Sequence, residues 1–372
     1  MRRRTFLKTA VALPTTAWLS HLAGRLVPAL AQPPRFDPRP GPWRSFELTS
    51  RVEVLRAAGQ TRVWLPVPSV ASEYQQPQGD TWSGNASSVR MLKDDRYDAT
   101  ILCAEFKDGE TAPVIELVSR VRTRDRAADW STDSKPASSG AEDLAKWTAP
   151  TKLMPIDGIV ARTSAEITAG KPTDLEKVQA IYDWTLANTH REPGVRGCGT
   201  GDIANMLETR NLGGKCADIN ALFVGLVRAA GVPARDVYGI RVAPSAFGYR
   251  SLGASSATVT RSQHCRAEVY LPGHGWVAMD PADVTKVARE ETSESLKIDH
   301  PLVETVRPKL FGGWEGNWVA YNLAHDVALP EAKQLGTLGF FMYPQCETAG
   351  QARDSLDADQ FKYTITATEI TA

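Results

Sequence analysis

Three residues in the second half of the chain have the types and order of a thiol catalytic triad. Cys216 follows two glycines and a lysine, and His264 and Asp280 come after it in the sequence. A thiol can attack a carbonyl carbon, an imidazole can move the proton, and a carboxylate can orient the imidazole. Together the three residues predict acyl transfer through a cysteine nucleophile.

A helix that begins at Cys216 would favour the reactive form of the thiol. Only the thiolate is a good nucleophile, and its ordinary pKa of about 8.5 leaves little of it at neutral pH. The positive end of a helix dipole and a neighbouring imidazole both favour the charged sulfur. The backbone N–H of Cys216 is also a natural oxyanion donor, and the sequence indicates no second one. Apolar residues at helical spacing predict this helix as far as Gly231 and Pro233: Ile219, Leu222, Phe223, Leu226, Val227 and Ala230.

His264 and Asp280 are expected at the two ends of a β-hairpin. Period-two patterns predict strands near residues 236–243, 264–271 and 276–280, with a turn between the last two. Because side chains alternate along a strand, only an odd-residue loop or a bulge places His264 and Asp280 on one face. A plain two-residue turn would separate them. The triad is therefore also a geometric prediction.

Each residue of the triad has an alternative interpretation. A lone cysteine at a helix start is usually buried and structural, and lone histidines and aspartates are usually hydrogen-bonded scaffold. Cys216, His264 and Asp280 could also bind zinc, but the chain offers no second Cys/His set to complete such a site. Cys265 faces away from His264 and is expected to be packed or disulfide-bonded. The three residues in this order favour the triad.

The N-terminus has the features of an export signal. Arg3-Arg4-Thr5-Phe6-Leu7-Lys8 is similar to a twin-arginine motif, and Ala29-Leu30-Ala31 is a small-x-small cleavage site. Pro14, His21 and Arg25 interrupt the apolar stretch, whereas a membrane span needs about 20 mostly apolar residues. We therefore expect a periplasmic protein, handled by the twin-arginine export machinery, cleaved after Ala31 and without a stable membrane anchor.

Charge and composition exclude several classes of function. The chain has 43 basic and 43 acidic residues, and removal of the basic signal leaves a mildly acidic protein. Such a balance gives no long-range attraction to nucleic acid. No CxxC pair or Walker-type glycine loop is present, so no cofactor is expected. Five cysteines are too few for a disulfide scaffold; an oxidising compartment allows one bridge, but a catalytic cysteine must stay unpaired.

Hydrophobic periodicity predicts β-rich and mixed regions along the chain. Alternating residues from Phe46 onward predict short strands, as in a small β-sandwich. A capping box over 173–176 predicts a helix to about Asn188, and the glycine-rich residues 191–214 are expected to form a folded loop. The predicted organisation is a signal peptide over 1–31, a linker over 32–44, a β-rich domain over 45–123, a connecting segment over 124–150, a catalytic core over 151–295 and a β-rich extension completing that core over 296–372.

These motifs resemble the transglutaminase-like superfamily, a branch of the papain-like thiol fold. The similarity covers roughly residues 172–285, and the preceding β-rich segment is similar to the accessory domain of bacterial members. The resemblance implies an α+β fold in which a helix with an N-terminal cysteine packs on an antiparallel sheet. It also implies Cys216 as nucleophile, His264 as base and Asp280 as orienting residue. The matching segments are Gly214–Asp218, Arg228–Arg235, His264 with Ala267–Leu271, and Gly275–Pro281, while Cys265-Arg266 replace the Ala-Trp common in bacterial members.

The expected function is that of an exported thiol enzyme acting on amide bonds of a peptide or protein. Such an enzyme forms a thioester, which either water or an amine resolves. A protein cross-linker is therefore the second enzymatic interpretation. A periplasmic binding or scaffold protein that keeps the fold without turnover is the alternative from another class.

Overall fold

The computed structural model of the protein describes residues 35–131 and 144–370. The predicted signal peptide with its cleavage site after Ala31, the start of the linker and the middle of the connecting segment lie outside the described residues. Among the residues described, no helix has the length and apolar character needed to cross a bilayer.

The first third of the described chain consists of strands. The first strand shows why: Phe46, Leu48, Ser50 and Val52 are buried on one face, whereas the residues that alternate with them are partly or fully exposed. This is the alternation predicted from Phe46 onward. The strands are β1 (Arg44–Glu53), β2 (Thr61–Pro66), β3 (Gln75–Gly84), β4 (Ser88–Lys93), β5 (Thr100–Phe106), β6 (Val114–Thr123) and β7 (Arg126–Ala127).

Helices and strands alternate in the middle of the chain. The predicted capping box is confirmed, because the Thr173 side chain accepts from the Glu176 N–H and the Glu176 carboxylate accepts from the Thr173 N–H. The elements are α1 (Gly158–Thr168), α2 (Asp174–Asn188), β8 (His190–Arg191), α3 (Ile203–Thr209), β9 (Gly213–Gly214), α4 (Cys216–Ala229), β10 (Ala234–Arg241), β11 (Gln263–Leu271), β12 (Gly275–Met279), α5 (Pro281–Glu290) and α6 (Pro301–Val306).

One prediction for this region was wrong. Residues 191–214 do not form only a loop, because they contain the helix α3. The Asp202 side chain caps it by accepting the N–H of Asn205, and the helix buries Ile203, Met206 and Leu207. These residues have helical spacing, but two turns between glycine-rich flanks are too short a pattern to stand out.

The last part of the chain returns to strands. They are β13 (Phe311–Trp314), β14 (Trp318–Asn322), β15 (His325–Val327), β16 (Leu338–Phe340), β17 (Gln345–Thr348), β18 (Gln351–Arg353) and β19 (Lys362–Ile370).

Two sheets form the predicted β-sandwich. Their strand orders are β19-β1-β6-β3 and β18-β17-β2-β5-β4. Val52 and Leu117 of the first sheet share one apolar core with Leu65, Leu102 and Cys346 of the second. The sandwich thus takes three strands from residues 345–370, far along the chain from the others. The boundaries proposed for separate domains stay a prediction.

A third sheet supports the helix that begins at Cys216. Its strands are antiparallel in the order β14-β10-β11-β12-β13-β7. Helix α4 packs on this sheet, with Leu222, Phe223 and Leu226 in one core with Ala267 and Val269 of β11. The α+β fold predicted from the sequence is confirmed: a helix with an N-terminal cysteine lies against an antiparallel sheet.

Candidate active site

The hairpin of β11 and β12 brings His264 and Asp280 to one face. Leu271 pairs with Gly275, so the loop between them has three residues, and Ala267 pairs with Met279. Asp280 therefore lies opposite Arg266, two residues from His264 and on the same side of the sheet. The odd-residue loop that the triad requires is present.

All three predicted site residues meet at one place. The His264 Nε2 atom lies 2.8 Å from Asp280 Oδ2, in a pair that is almost completely buried. Cys216 and His264 line the same cavity. Because Nε2 faces the carboxylate, the other ring nitrogen is left for the sulfur.

Asp280 has hydrogen-bond and ion-pair partners on several elements. It is 0% exposed and it caps α5, accepting the N–H of Asp283 at 3.1 Å. The same Oδ1 atom accepts from Asn220 Nδ2 at 3.2 Å, and Arg266 Nε lies 3.6 Å from Oδ2. A buried carboxylate needs such partners, because an unpaired charge in the interior is very costly.

Asn220 is a residue of the site that the sequence analysis missed. It lies one turn after Cys216 on α4 and is fully buried. Its amide also donates to the Cys265 carbonyl at 2.9 Å and accepts the Ala282 N–H at 3.1 Å. Asn220 therefore ties the helix of the cysteine to the hairpin and to α5. Its only signal in the sequence is an amide side chain inside a run of apolar helix positions.

Asp283 is a second carboxylate beside the imidazole. Its Oδ1 lies 3.3 Å from His264 Nε2 and also forms a buried salt bridge with Arg241. Burial opposes the charged form of Asp283, but Arg241 and His264 outweigh it and hold its pKa below the usual range. Burial and the neighbouring Asp283 charge instead raise the pKa of Asp280.

These charges control the protonation of His264 and Cys216. Burial alone would lower the pKa of His264, yet the negative charges of Asp283 and Asp280 outweigh it and raise this pKa to about 9. Hydrogen bonds from the Cys198 and Cys265 thiols and from His264 hold the pKa of Cys216 well below its usual range. The two shifts have the signs that favour a thiolate beside an imidazolium at neutral pH.

Two further thiols lie next to Cys216. Hydrogen bonding to Cys216 and burial raise the pKa of Cys198, and burial above all raises that of Cys265. Cys198 Sγ donates to the Gln263 carbonyl at 3.4 Å, and Cys265 Sγ lies 4.0 Å from Met342 Sδ. All five cysteines are buried free thiols. Cys265 is thus packed, one of the two outcomes expected for it.

His264, Asp280 and Asp283 also form a potential metal cluster, with ligand atoms within 4.8 Å of one another. Their lone pairs are largely committed to Asn220, Arg241 and backbone N–H groups. A divalent cation would also meet the repulsion of the Arg241 and Arg266 guanidiniums beside these carboxylates. The donor set therefore fits a hydrogen-bonded triad better than zinc.

The site opens into a cavity of ≈ 590 Å³. Residues from β8, the α4 start, the segment before β11 and α5 line it, and the C-terminal part of the chain adds Tyr343, Phe361 and Tyr363. Sequence reasoning did not connect these aromatic residues with the site. Their distance from Cys216 along the chain leaves no local pattern that could reveal the contact.

Comparison with known proteins agrees with this fold. The family model for the transglutaminase-like superfamily matches residues 161–281. An uncharacterized protein of Haemophilus influenzae is 35% identical over 319 residues, covering 82% of this chain and 85% of the relative. The chain belongs to the transglutaminase-like superfamily.

Solved structures align with this chain at low sequence identity. A candidate cysteine protease from Cytophaga hutchinsonii aligns with a TM-score of 0.54 and 13% identity over 90% of this chain and 93% of that one. The periplasmic domain of TgpA from Pseudomonas aeruginosa aligns with a TM-score of 0.33 and 15% identity over 69% of this chain and 91% of that domain. The first similarity shows the fold alone, and the second is too weak to carry an argument.

The lowered pKa of Cys216 predicts selective alkylation. Iodoacetamide at about pH 6.5 should modify Cys216 first, because an ordinary thiol with a pKa of about 8.5 is almost fully protonated there. Mass-spectrometric mapping of the labelled peptides against pH gives the rate for each cysteine. Cys103 is the internal control, since burial raises its pKa to about 11. Labelling of Cys216 only near pH 9, or only after unfolding, would contradict the activated thiol.

Proposed function

We propose that this protein is an exported thiol enzyme that acts on amide bonds of peptides or proteins through Cys216, His264 and Asp280. The observation that carries the proposal is the buried 2.8 Å pair of His264 and Asp280 in a site whose cavity also contains Cys216. The lowered pKa of Cys216 and the raised pKa of His264 support it. Export to the periplasm through the twin-arginine machinery is part of the proposal and rests on the N-terminal motif.

The proposed reaction has two halves. Cys216 Sγ attacks the carbonyl carbon of the amide, a new S–C bond forms, and the C–N bond breaks as protonated His264 gives its proton to the leaving amine. Water or a second amine then attacks the thioester carbon, losing its proton to His264 and releasing the Cys216 sulfur. Asp280 holds the imidazole in place through Nε2 during both halves.

The oxyanion of each tetrahedral intermediate needs donors near the sulfur. The backbone N–H of Cys216 lies at the start of α4 and has no hydrogen-bond partner among the residues that the structure describes. Gln263 is the proposed second donor. Its side-chain amide nitrogen is buried without a partner among the described residues, and the residue lines the cavity beside His264. An unpaired buried donor is costly, so an oxyanion would satisfy it.

A glutaminyl peptide tests the proposed function directly. Wild-type protein should release ammonia from it, and Cys216→Ala should reduce the rate by about a thousandfold or more, because the nucleophile is lost. Cys103→Ala, which removes a buried thiol in the sandwich, is the matched control and should keep the activity. A labelled amine in parallel reactions distinguishes the two outcomes of the thioester.

The products decide between the enzymatic interpretations. Ammonia without amine incorporation identifies a hydrolase, and incorporation of the labelled amine identifies a cross-linking enzyme. Equal rates for wild type and Cys216→Ala would refute the thiol mechanism. No turnover of any peptide, with Cys216 no more reactive than an ordinary thiol, would leave the binding or scaffold protein as the better account.

The role of Gln263 has its own test. Gln263→Ala should lower kcat about ten- to a hundredfold with little change in KM, because an oxyanion donor acts mainly in the transition state. Gln351→Ala, at an exposed position in β18, is the control and should change neither constant. Rapid-mixing measurement of the acylation step locates the effect. An unchanged acylation rate in Gln263→Ala would remove this residue from the oxyanion site.

A further inference from the structure

The cavity above Cys216 carries a strong excess of positive charge. Seven of the described residues that line it are lysine or arginine, and none of those lining residues is acidic. The whole chain has equal numbers of basic and acidic residues. The excess is therefore a local property of this cavity and not a reflection of overall composition.

Part of this charge is neutralised from outside the cavity. Carboxylates that do not line it pair with four of the seven basic residues: Arg191 with Glu290, Arg196 with Asp354, Arg241 with Asp283 and Lys362 with Glu53. Because each of these ion pairs has little net charge, the four paired cations contribute little to the binding of an anionic ligand.

Three cations are left for a ligand. Lys215 and Arg261 form no salt bridge with any residue in the described parts of the chain. Lys286 Nζ lies 4.0 Å from a Glu290 oxygen, but that carboxylate already accepts from Arg191 at 2.8 Å. Burial and the nearby Arg241 charge lower the pKa of Lys286 to about 8, as expected for an ammonium crowded by other cations.

The three cations line the same cavity as Cys216 and His264. Lys215 directly precedes Cys216, and Arg261 lies three residues before His264. Lys286 is on α5, the helix that Asp280 caps. Each triad residue thus has one of these cations near it in the sequence or on the helix that it caps, and all three cations line the cavity. A ligand carboxylate bound there would lie close to the reacting carbonyl.

We propose that the natural substrate is an acidic peptide whose carboxylates, close in sequence to the reactive amide, bind Lys215, Arg261 and Lys286. This inference rests on the proposed function of the same site. Charge-assisted hydrogen bonds would hold the carboxylates, and the local field would raise the concentration of anionic peptides. The same field would reject basic peptides. These three residues are therefore proposed to determine specificity.

A peptide suits the cavity better than a nucleic acid does. The basic residues line a cavity of ≈ 590 Å³ whose walls include Tyr343, Phe361 and Tyr363. A polyanion such as DNA needs a long basic track, because its affinity depends on many phosphate contacts. The chain as a whole has no excess of basic residues that would favour such a polyanion.

Cysteine-directed peptides test this inference without requiring turnover. We would compare three chloroacetyl peptides of equal length, with glutamate, serine or lysine flanking the reactive group, and measure the rate of Cys216 alkylation at low salt and about pH 6.5. The glutamate peptide should react fastest and the lysine peptide slowest. Higher salt should reduce the difference, because the Debye length falls to about 8 Å at physiological ionic strength.

Charge-neutralising variants connect the preference with the named residues. In the double variant Arg261→Gln, Lys286→Gln, the advantage of the glutamate over the serine peptide should fall about fivefold, the size expected for two partly exposed ion pairs. Arg289→Gln on the same helix is the matched control, because Arg289 is exposed and does not line the cavity. Its preference should equal that of wild type.

Three results would overturn the inference. They are equal alkylation by the three peptides at low salt, a glutamate preference that survives unchanged in the double variant, and better protection of Cys216 by a single-stranded oligonucleotide than by an unreactive acidic peptide. Glutamate-selective alkylation with neither hydrolysis nor transamidation of any peptide amide, in side chain or backbone, would refute the proposed function and leave the specificity of the cavity standing. Turnover of peptides without any preference for glutamate would support the proposed function and refute the charge specificity of the cavity.

Discussion

The burial of the Asp280 carboxylate is the constraint on which the site depends. A fully buried charge is tolerated only when several groups compensate it. Asp280 has such groups on three elements: His264 on β11, Asn220 on α4, and the first turn of α5, which it caps. The hydrogen bonds that stabilise this buried charge also fix the helix of Cys216 and the strand of His264 relative to each other. The same hydrogen bonds therefore position the proposed triad and stabilise the core.

The same requirement explains the charges around the triad. Asp280 and Asp283 bring two negative charges into the interior, and Arg241 and Arg266 bring two positive ones. Burial lowers the pKa of Arg266 only to about 10, so it remains charged at neutral pH. A thiolate and an imidazolium add one charge of each sign, which leaves the buried cluster neutral. Lys215, Arg261 and Lys286 line the cavity, where a substrate would contact them.

Much of this could be predicted from the sequence because it is encoded locally. Helical periodicity located α4. The sequence indicated the loop parity that His264 and Asp280 require, and the three-residue loop of the structure meets it. Asn220 and Asp283 could not be predicted, because a polar residue in an apolar stripe has no distinctive spacing and its partners come from other elements. The strands over 345–370 join the sandwich by pairing with strands that are far away in the sequence. An alternating pattern predicts a strand but does not show which other strand it pairs with.

Titration of the His264 ring nitrogens by NMR is the most direct test of the central claim that buried carboxylates keep this imidazole charged. With selectively labelled histidine, and assignment through a His264→Gln variant, the two nitrogen shifts report the protonation state at each pH. The account predicts an imidazolium at neutral pH that loses its proton at about pH 9. A neutral ring at neutral pH, with a pKa at or below the ordinary value of about 6.5, would contradict it.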